Sequence, residues 1–270
     1  MQSFEPFDRA ARRRARDRAA GLIAGRTQIL AHVAGELEAR AQLQGPAIEG
    51  PDLRIGLLLS PPPAAFGCDP GWVLARRHRG VQCDEDRLPF ADESFARITA
   101  LMTLCGVNDL PGALILCRRA LKKGGRFFAA FPAGWSLGAV RAAFLAADAA
   151  AGGEVHARLG PALDPAEAAG LLQRAGFVEP VVEVDTLTIR VANLVALARD
   201  VRAHGDSGWL EARARGLMTP RRWAAAESAF AEAADAEGRV SVDLQLLFIS
   251  ARAPGITASG QDMGEQDPGA

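Results

Sequence analysis

Three short, continuously apolar segments constrain the fold of this chain more than any other feature of its sequence. They are residues 54–59 (RIGLLL), 97–104 (RITALMTL) and 126–131 (RFFAAF). Apolar runs of this length without polar alternation are typical of strands that are buried on both faces of a parallel sheet. Because helical segments separate and follow them, the sequence predicts an α/β fold with a doubly wound, mostly parallel sheet and helices on both faces.

The segments between these strands are predicted mostly as helices. Residues 7–43 have helical spacing, with a weak point near Gly21 and Gly25. Asp164 and Pro165 mark a helix start, since Asp can cap a helix and Pro fits its first turn. The remaining predicted helices are 69–79, 111–121, 136–151, 193–204 and 220–236. The remaining predicted strands are 80–83, 181–191 and 240–251. Lys122–Gly125 is predicted to close the helix before it.

Composition excludes several classes of protein. The 270 residues carry a net charge of −1, so no overall charge attracts nucleic acid or a membrane. No apolar stretch approaches the ~18 residues of a membrane span, and no apolar segment follows the N-terminal arginines as in a secretory signal. The four cysteines lack metal-binding spacing and the four histidines are scattered, which predicts reduced thiols and no metal site. A bacterial cytoplasmic protein, peripheral to the inner membrane in one alternative, is expected.

An ordered set of motifs resembles a known family. LPFADESF (residues 88–95) precedes the strand RITALMTL, and VNDLPGAL (107–114), RRALKKGGRFFAAFPAG (118–134) and LLQRAGF (171–177) follow. Over about residues 50–255 the chain resembles the class I S-adenosylmethionine (SAM)-dependent methyltransferases, of methyltransferase type 11. VNDLPGAL and the opening FDRAARRRARDRAA are similar to the branch that holds the biotin-synthesis malonyl-acyl-carrier-protein methyltransferase and assembly factors of respiratory complex I.

This resemblance implies a Rossmann-like sheet with an antiparallel last strand. It also implies three regions: an N-terminal helical extension (1–50), a methyltransferase-like domain (51–253, with a helical insertion at 193–237) and a disordered tail (254–270). SAM is the cofactor that the resemblance implies, whereas no catalytic residue can be assigned. The predicted cofactor-binding residues are Gly56, Ser60, Asp84, Glu85, Leu88, Phe90, Met102 and Thr103.

Among these residues, Asp84 corresponds to the family's acid that meets the adenine, with Leu88 and Phe90 packing the turn beside the purine. A carboxylate suits that position because it accepts hydrogen bonds from the adenine amino group. The alternative for Asp84–Asp86 is a solvated acidic turn, which is the preferred interpretation for Glu85 and Asp86.

Two departures from the family pattern concern the cofactor site. The glycine-rich loop that follows the first strand is replaced by LLLSPPP after Gly56, and the three prolines have no N–H to donate. Only 24 residues separate Leu59 from Asp84, fewer than two strand–helix units need, because one βαβ unit takes ~30. The sequence therefore predicts that one unit and its ribose-binding acid are lost. Asp69 is the only replacement, and its Asp-Pro context favours a helix cap.

Two further features allow alternatives. Cys105 lies where relatives carry histidine and is either a nucleophile or, preferably, a packing residue. Six arginines form a cationic face on the first helix: Arg9, Arg12, Arg13, Arg14, Arg16 and Arg18. This face either docks on an acidic protein or anionic lipid, or is simply solvated with Asp8 and Asp17 as local partners.

The sequence supports two main functions. The first is SAM-dependent methyl transfer to an unknown protein or small-molecule acceptor, for which holding the methyl group in line supplies most of the catalysis. The second is a catalytically impaired, methyltransferase-like assembly or scaffold factor for a respiratory complex, as the altered cofactor loop suggests. A nucleic-acid methyltransferase is a weaker third alternative, because the chain is nearly neutral.

Overall fold

A seven-stranded sheet in the order β3-β2-β1-β4-β5-β7-β6 forms the centre of the molecule. The computed structural model describes residues 5–45, 48–152, 155–213, 216 and 218–255. The strands are β1 (Asp52–Ile55), β2 (Phe66–Asp69), β3 (Val81–Gln82), β4 (Phe95–Leu101), β5 (Leu121–Pro132), β6 (Val178–Val191) and β7 (Val240–Arg252). The helices are α1 (Arg9–Leu22), α2 (Gln28–Leu43), α3 (Trp72–Arg77), α4 (Leu110–Ala120), α5 (Gly138–Ala150), α6 (Pro165–Arg174), α7 (Leu194–Ala203) and α8 (Pro220–Ala231).

Strands β1 to β5 run parallel to one another, and β7 lies antiparallel between β5 and β6. This arrangement confirms the predicted mostly parallel, Rossmann-like sheet with an antiparallel last strand. The carboxyl ends of β1 to β5 therefore share one edge, which is where sheets of this class bind their ligands.

Helices cover both faces of the sheet. On one face, Leu30 and Leu37 of α2 pack in a cluster with Phe128 of β5. On the other face, Leu172 of α6 packs in a cluster with Phe127. All five side chains are almost fully buried, which explains why the strand sequences are apolar without alternation. None of the helices in the described ranges is long and apolar enough to cross a membrane.

The first predicted strand is shorter than expected. β1 ends at Ile55, and Gly56 turns the chain with φ +89°. A Cβ on Gly56 would lie 2.5 Å from the carbonyl oxygen of Leu101 on β4, so only glycine fits this close approach. The prediction that residues 56–59 continue the strand is wrong, because the backbone leaves the ladder here.

The predicted loss of a strand–helix unit is also wrong. β2 is present between β1 and β3, and pairs in register with β1 from Phe66 to Cys68. The chain is shorter than two βαβ units because residues 56–65 connect β1 to β2 without a helix. The four-residue strand FGCD escaped the sequence analysis because it is too short to show a periodic pattern.

The predicted helix stop at Lys122–Gly125 is a third error. These residues belong to β5, which begins directly after α4. The pairing with β4 shifts register between Phe95 and Arg97, and Gly124 adopts φ +75° in the facing segment. The glycines that resemble a helix cap in the sequence therefore lie at a local irregularity of the strand.

The other predicted helices and strands are found within a few residues of their expected bounds. The break near Gly25 separates α1 from α2, and Asp164 caps α6 by accepting a hydrogen bond from the N–H of Ala166. The tail predicted as disordered lies outside the described residues from position 256 onward.

Candidate functional site at the carboxyl edge of the sheet

Buried acidic side chains gather at the carboxyl ends of the parallel strands. Asp69 is the last residue of β2, Asp84 and Glu85 follow β3, and Thr103 follows β4. Asp69, Asp84 and Glu85 are all at most 3% exposed. Carboxylates this deeply buried need partners, because an unpaired buried charge is very costly.

Asp69 organises the start of this edge. Its Oδ2 accepts a 2.8 Å hydrogen bond from the N–H of Leu57, and its Oδ1 accepts one of 2.8 Å from the N–H of Gly71. The N-cap of α3 is Gly71 and has no side-chain cap hydrogen bond, so the helix-cap interpretation of Asp69 is wrong. Asp69 instead ends β2, which is the position that the resemblance assigns to the ribose-binding acid.

Two arginines of α1 reach the buried acids. The Arg16 guanidinium donates from Nε and Nη2 to the two oxygens of Asp69, with 3.2 Å from Nε to Oδ1. The Arg12 guanidinium donates to both oxygens of Glu85 at 2.6 and 2.9 Å, and to the carbonyl oxygen of Thr103 at 2.8 Å. Both contacts are two-bond forks, the strongest geometry for an arginine–carboxylate pair.

Arg9 and Arg13 of α1 extend the contact along the same edge. Arg13 donates to both oxygens of Asp84 at 3.1 and 2.6 Å. Arg9 donates to both oxygens of Asp86 at 2.6 and 2.7 Å and reaches Asp84 at 3.3 Å. Because these arginines stand three or four residues apart, they share one face of the helix.

The electrostatics of these pairs favour the charged forms. Burial alone would lower the pKa of the Arg12 guanidinium, but Glu85 outweighs it and the pKa is raised. Arg16 behaves in the same way beside Asp69. Burial would raise the pKa of Asp86, yet the hydrogen bonds from Arg9 hold it below its usual value. The site is thus a set of ion pairs without a free carboxylate among Asp69, Asp84, Glu85 and Asp86.

Both interpretations of the arginine face are therefore wrong for four of its six members. Arg9, Arg12, Arg13 and Arg16 pair within the chain, whereas Arg14 and Arg18 are exposed. Asp8 and Asp17, the expected local partners of these arginines, make other contacts. Asp8 caps α1 and pairs with Arg213, and Asp17 accepts the N–H of Val73.

The solvated acidic turn is wrong as well. Glu85 is 1% exposed, and the side chain of Asp86 is 3% exposed. The 3₁₀ turn Glu85–Arg87 directs both carboxylates toward α1 rather than toward water.

The structure brings half of the eight predicted cofactor residues to this edge. Gly56, Asp84, Glu85 and Thr103 lie there, and Thr103 donates its hydroxyl to Glu85. Ser60 is exposed, with no hydrogen bond among the described residues.

The three apolar candidates have mainly packing contacts. Leu88 is buried in the core, and the Phe90 ring meets Phe95 edge-on at 5.1 Å. Met102 is buried with φ +52° and lines the adjacent cavity. Whether any of the eight residues touches a cofactor stays a prediction.

At this edge, the groups that the resemblance assigns to SAM binding are bonded within the chain. The acids at the ribose and adenine positions, Asp69 and Asp84, are bonded to arginines. The N–H of Leu57, the first after Gly56, is bonded to Asp69, and Pro61, Pro62 and Pro63 have none to offer. No group of three or more metal-binding side chains occurs in the described ranges.

A large cavity of about 990 Å³ adjoins this edge. Met102, Cys105 and Asp206 line it on the side that faces α1, whose Arg12 and Arg16 interact electrostatically with Asp206. Burial raises the pKa of the Cys105 thiol to about 12, so the thiol is not a nucleophile at neutral pH. The packing interpretation of Cys105 agrees with this environment.

Sequence reasoning missed the acid–arginine network itself. The sequence predicts a helix from residue 69 because β2 is too short to be recognised. It also predicts that the arginines of the first helix lie on the surface. One signal was available: Arg9, Arg12, Arg13 and Arg16 alternate with small residues such as Ala15, as a buried helix face requires.

Comparisons with known proteins agree with this fold. Residues 70–129 match a family model described as a methyltransferase domain. The arginine-hydroxylase NDUFAF5, mitochondrial, of Danio rerio is 27% identical over 169 residues, which are 63% of this chain and 53% of that protein. The malonyl-[acyl-carrier protein] O-methyltransferase of Halorhodospira halophila is 32% identical over 175 residues, 64% of this chain and 57% of that protein. The matches thus span little more than half of each relative.

Among solved structures, the protein BH2331 of Bacillus halodurans aligns with a TM-score of 0.52 and 15% identity, covering 82% of this chain and 99% of that chain. At this identity the similarity concerns the fold alone. Together the matches confirm the resemblance that the motifs indicated, including both groups of the predicted branch.

Proposed function

We propose that this chain, which carries a methyltransferase-family domain, works without SAM and acts as an assembly or scaffold factor for a respiratory complex. The observation that carries the proposal is the arginine face of α1. Four of its arginines engage the acids at the carboxyl edge of the sheet, including both acids at the nucleoside positions.

The depth of the pairs supports this proposal. The Asp69 side chain is 0% exposed and the Arg16 side chain 3%. Separating such a pair would leave two buried charges without partners, which costs several kcal/mol for each. A nucleoside could reach Asp69 only after α1 had withdrawn, so its binding free energy would have to offset that cost.

The connection after β1 supports it independently of α1. Catalytic relatives hold the methionine half of SAM with backbone N–H groups of a glycine-rich loop, as the resemblance implies. Here a leucine- and proline-rich segment replaces that loop. Moving α1 alone would not restore these donors.

The assembly role rests on the relatives. One of the two groups that match is named for NDUFAF5, the complex I assembly-factor side of the resemblance, and the matched region extends over 63% of this chain. The matched region covers little more than half of that relative. That this chain acts on a respiratory complex is therefore proposed here and does not follow from the match alone.

Titration calorimetry with SAM tests the central claim. We expect no binding by the full-length protein. A dissociation constant below about 100 μM, equivalent to roughly 5.5 kcal/mol, would contradict the proposal.

A second candidate function, methyl transfer, is favoured by one observation: the strand order and Asp69 at the end of β2 retain the framework of a nucleoside site. In that case α1 would be a helix that covers the site and moves away when SAM binds.

Paired substitutions separate the two functions. Arg13→Met with Arg16→Met weakens the cover, whereas Arg14→Met with Arg18→Met removes two exposed arginines of the same helix as a control. We expect neither variant to bind SAM; binding gained only by the first would establish the second function.

The assembly role needs a cellular measurement. In cells that produce this protein, deleting it should reduce the amount of an assembled respiratory complex on native gels. Restoring the chain should restore the complex. Unchanged complexes after deletion would refute the assembly role while leaving the absence of SAM binding intact.

A further inference from the structure

The cavity of about 990 Å³ is a candidate binding site beside the acid–arginine network. Its walls come from α5, α7, α8 and the connecting segments 156–162 and 204–213, together with the ends of β4 and β5. A volume of this size is in the upper range for small-molecule sites in proteins.

Apolar side chains form most of the cavity wall. Val140 and Phe144 of α5, Leu197 of α7 and Trp223 of α8 belong to one hydrophobic cluster and line the space. The Phe144 and Trp223 rings lie 6.2 Å apart. Such a wall accepts an apolar chain, because burying methylene groups removes them from water.

The charged side chains of the wall are mostly basic. The described lining residues include five arginines and two aspartates. The arginines are Arg141, Arg158, Arg202, Arg213 and Arg222. Basic side chains beside an apolar wall indicate an amphipathic ligand with an anionic group.

One acid serves two of these arginines. Asp148 of α5, which is fully buried, accepts a 2.7 Å hydrogen bond from Nη2 of Arg158 and lies 3.4 Å from Nε of Arg222. The Arg222 Nε is buried without a hydrogen-bond partner. Among the described residues a single carboxylate lies between these two guanidiniums, so one of the two positive charges has no counter-charge there.

Arg141 adds to this excess. It lies on α5 seven residues before Asp148, so both project from the same side of the helix. Arg141 is exposed and has no ion pair among the described residues. Arg158 is held in place by stacking on Phe144, with 4.7 Å from Cζ to the ring centre.

The two aspartates of the wall do not cancel this charge. Asp200 is paired with Arg26 of the α1–α2 connection. Asp206 interacts electrostatically with Arg16 and Cys105, and burial raises the pKa of its carboxyl. Among the described residues, Arg141, Arg158 and Arg222 therefore keep an excess of positive charge.

We propose that this cavity binds a long-chain carboxylate, with its carboxylate on Arg222 and Arg141 and its alkyl chain along the wall formed by Phe144, Leu197 and Trp223. The excess positive charge of Arg141, Arg158 and Arg222 over Asp148 matches a ligand with an anionic group, and the apolar wall matches its chain. This site goes beyond the proposed function and does not depend on it.

Calorimetric titration of the full-length protein with dodecanoate below its micellar concentration tests the proposal. Three comparison ligands separate its parts: dodecanol has the chain without the charge, dodecyltrimethylammonium has the opposite charge, and butyrate has the charge without the chain. We expect dodecanoate to bind at least tenfold more tightly than each of them. Equal affinity for dodecanol or dodecyltrimethylammonium would overturn the assignment of the carboxylate to the arginines. Equal affinity for butyrate would overturn the assignment of the alkyl chain to the apolar wall.

Two pairs of variants locate the site. Arg222→Met should weaken dodecanoate binding at least tenfold, whereas Arg221→Met, on the exposed side of the same helix, should leave it unchanged. Ala198→Trp places a large ring in the cavity and should abolish binding, while Ala224→Trp lies outside it. Circular dichroism verifies that each variant is folded. If Arg222→Met and Ala198→Trp bind like their controls, the ligand does not occupy this cavity.

Discussion

At the scale of single residues, Asp69 is the acid on which most other contacts of the site depend. Its carboxylate joins the end of β1, the start of α3 and Arg16 of α1. Asp69→Asn keeps an acceptor oxygen for only one of the two backbone N–H groups, places its amide NH2 against the other, and leaves Arg16 buried without a counter-charge. We expect a loss of about 3–5 kcal/mol in the free energy of unfolding, measured in urea.

Two further variants control that measurement. Asp69→Asn combined with Arg16→Met removes both charges and should recover the part of the loss that comes from the unpaired Arg16 charge. Asp92→Asn breaks an exposed pair with Arg119 and should cost less than about 1 kcal/mol. If Asp69→Asn were as mild as Asp92→Asn, the buried pair would not be formed in solution.

Asp148 gives the protein a specific dependence on pH. Hydrogen bonds from Arg158, with Arg222 nearby, lower its pKa to about 2, from an ordinary value of 3.8. Because the folded pKa is below the unfolded one, the stabilisation is present above about pH 4 and is lost as the pH falls toward 2. Urea midpoints of the wild type should therefore fall more steeply between pH 5 and 2 than those of Asp148→Asn. Parallel curves would contradict this role.

At the scale of elements, the prediction from the strand pattern fails at the turn after β1. Replacing the glycine of this turn by alanine should change stability in the opposite direction to the same replacement of a glycine within α2. Gly56→Ala would strain a left-handed backbone and place its Cβ against the Leu101 carbonyl oxygen. We expect a loss of at least about 2 kcal/mol in urea unfolding. Gly35→Ala, in an open position within α2, should instead stabilise the protein by about 0.5–1 kcal/mol. Effects of the same sign in both variants would show that the turn is more open than described.

The elements that the sequence predicted correctly are those with strong periodic or apolar patterns. β4 and β5 are continuous apolar runs, and α6 has an Asp cap with Pro at its first position. The sequence does not predict β2, because a strand of four residues is too short to show alternation. The short distance between Leu59 and Asp84 reflects a missing helix, whereas the sequence alone predicts that both a strand and a helix are missing. Local propensity also assigned Lys122–Gly125 to a helix end, whereas pairing with β4 decides their structure.

At the scale of the whole molecule, α1 is expected to exchange its amide hydrogens only with global unfolding. Arg12 and Arg16 are buried, and Phe7 just before the helix packs edge-on against Trp209 at 4.9 Å. Hydrogen–deuterium exchange should therefore give α1 protection similar to that of β4 and β5. Rapid exchange in α1 beside a protected sheet would identify it as a mobile cover and favour methyl transfer.

The candidate site could be predicted from the sequence only in outline. The order of the motifs located the acids after β3, but the sequence could not show that Glu85 and Asp86 are buried, because an acidic triplet is usually solvated. The pairing of Arg16 with Asp69 connects residues 53 positions apart. Such distant contacts leave no local pattern, so they emerge only when the whole sheet is in place.

The arginine face of α1 has a consequence for how the chain is made. The helix is translated before its partners on the sheet, which follow 53 to 77 residues later. The carbonyl oxygen of Trp209, which accepts a hydrogen bond from the N–H of Asp8, follows later still. On the ribosome the cations of the nascent helix therefore stay unpaired until β2 and the turn after β3 have emerged, and the hydrogen bond between Asp8 and Trp209 forms later still.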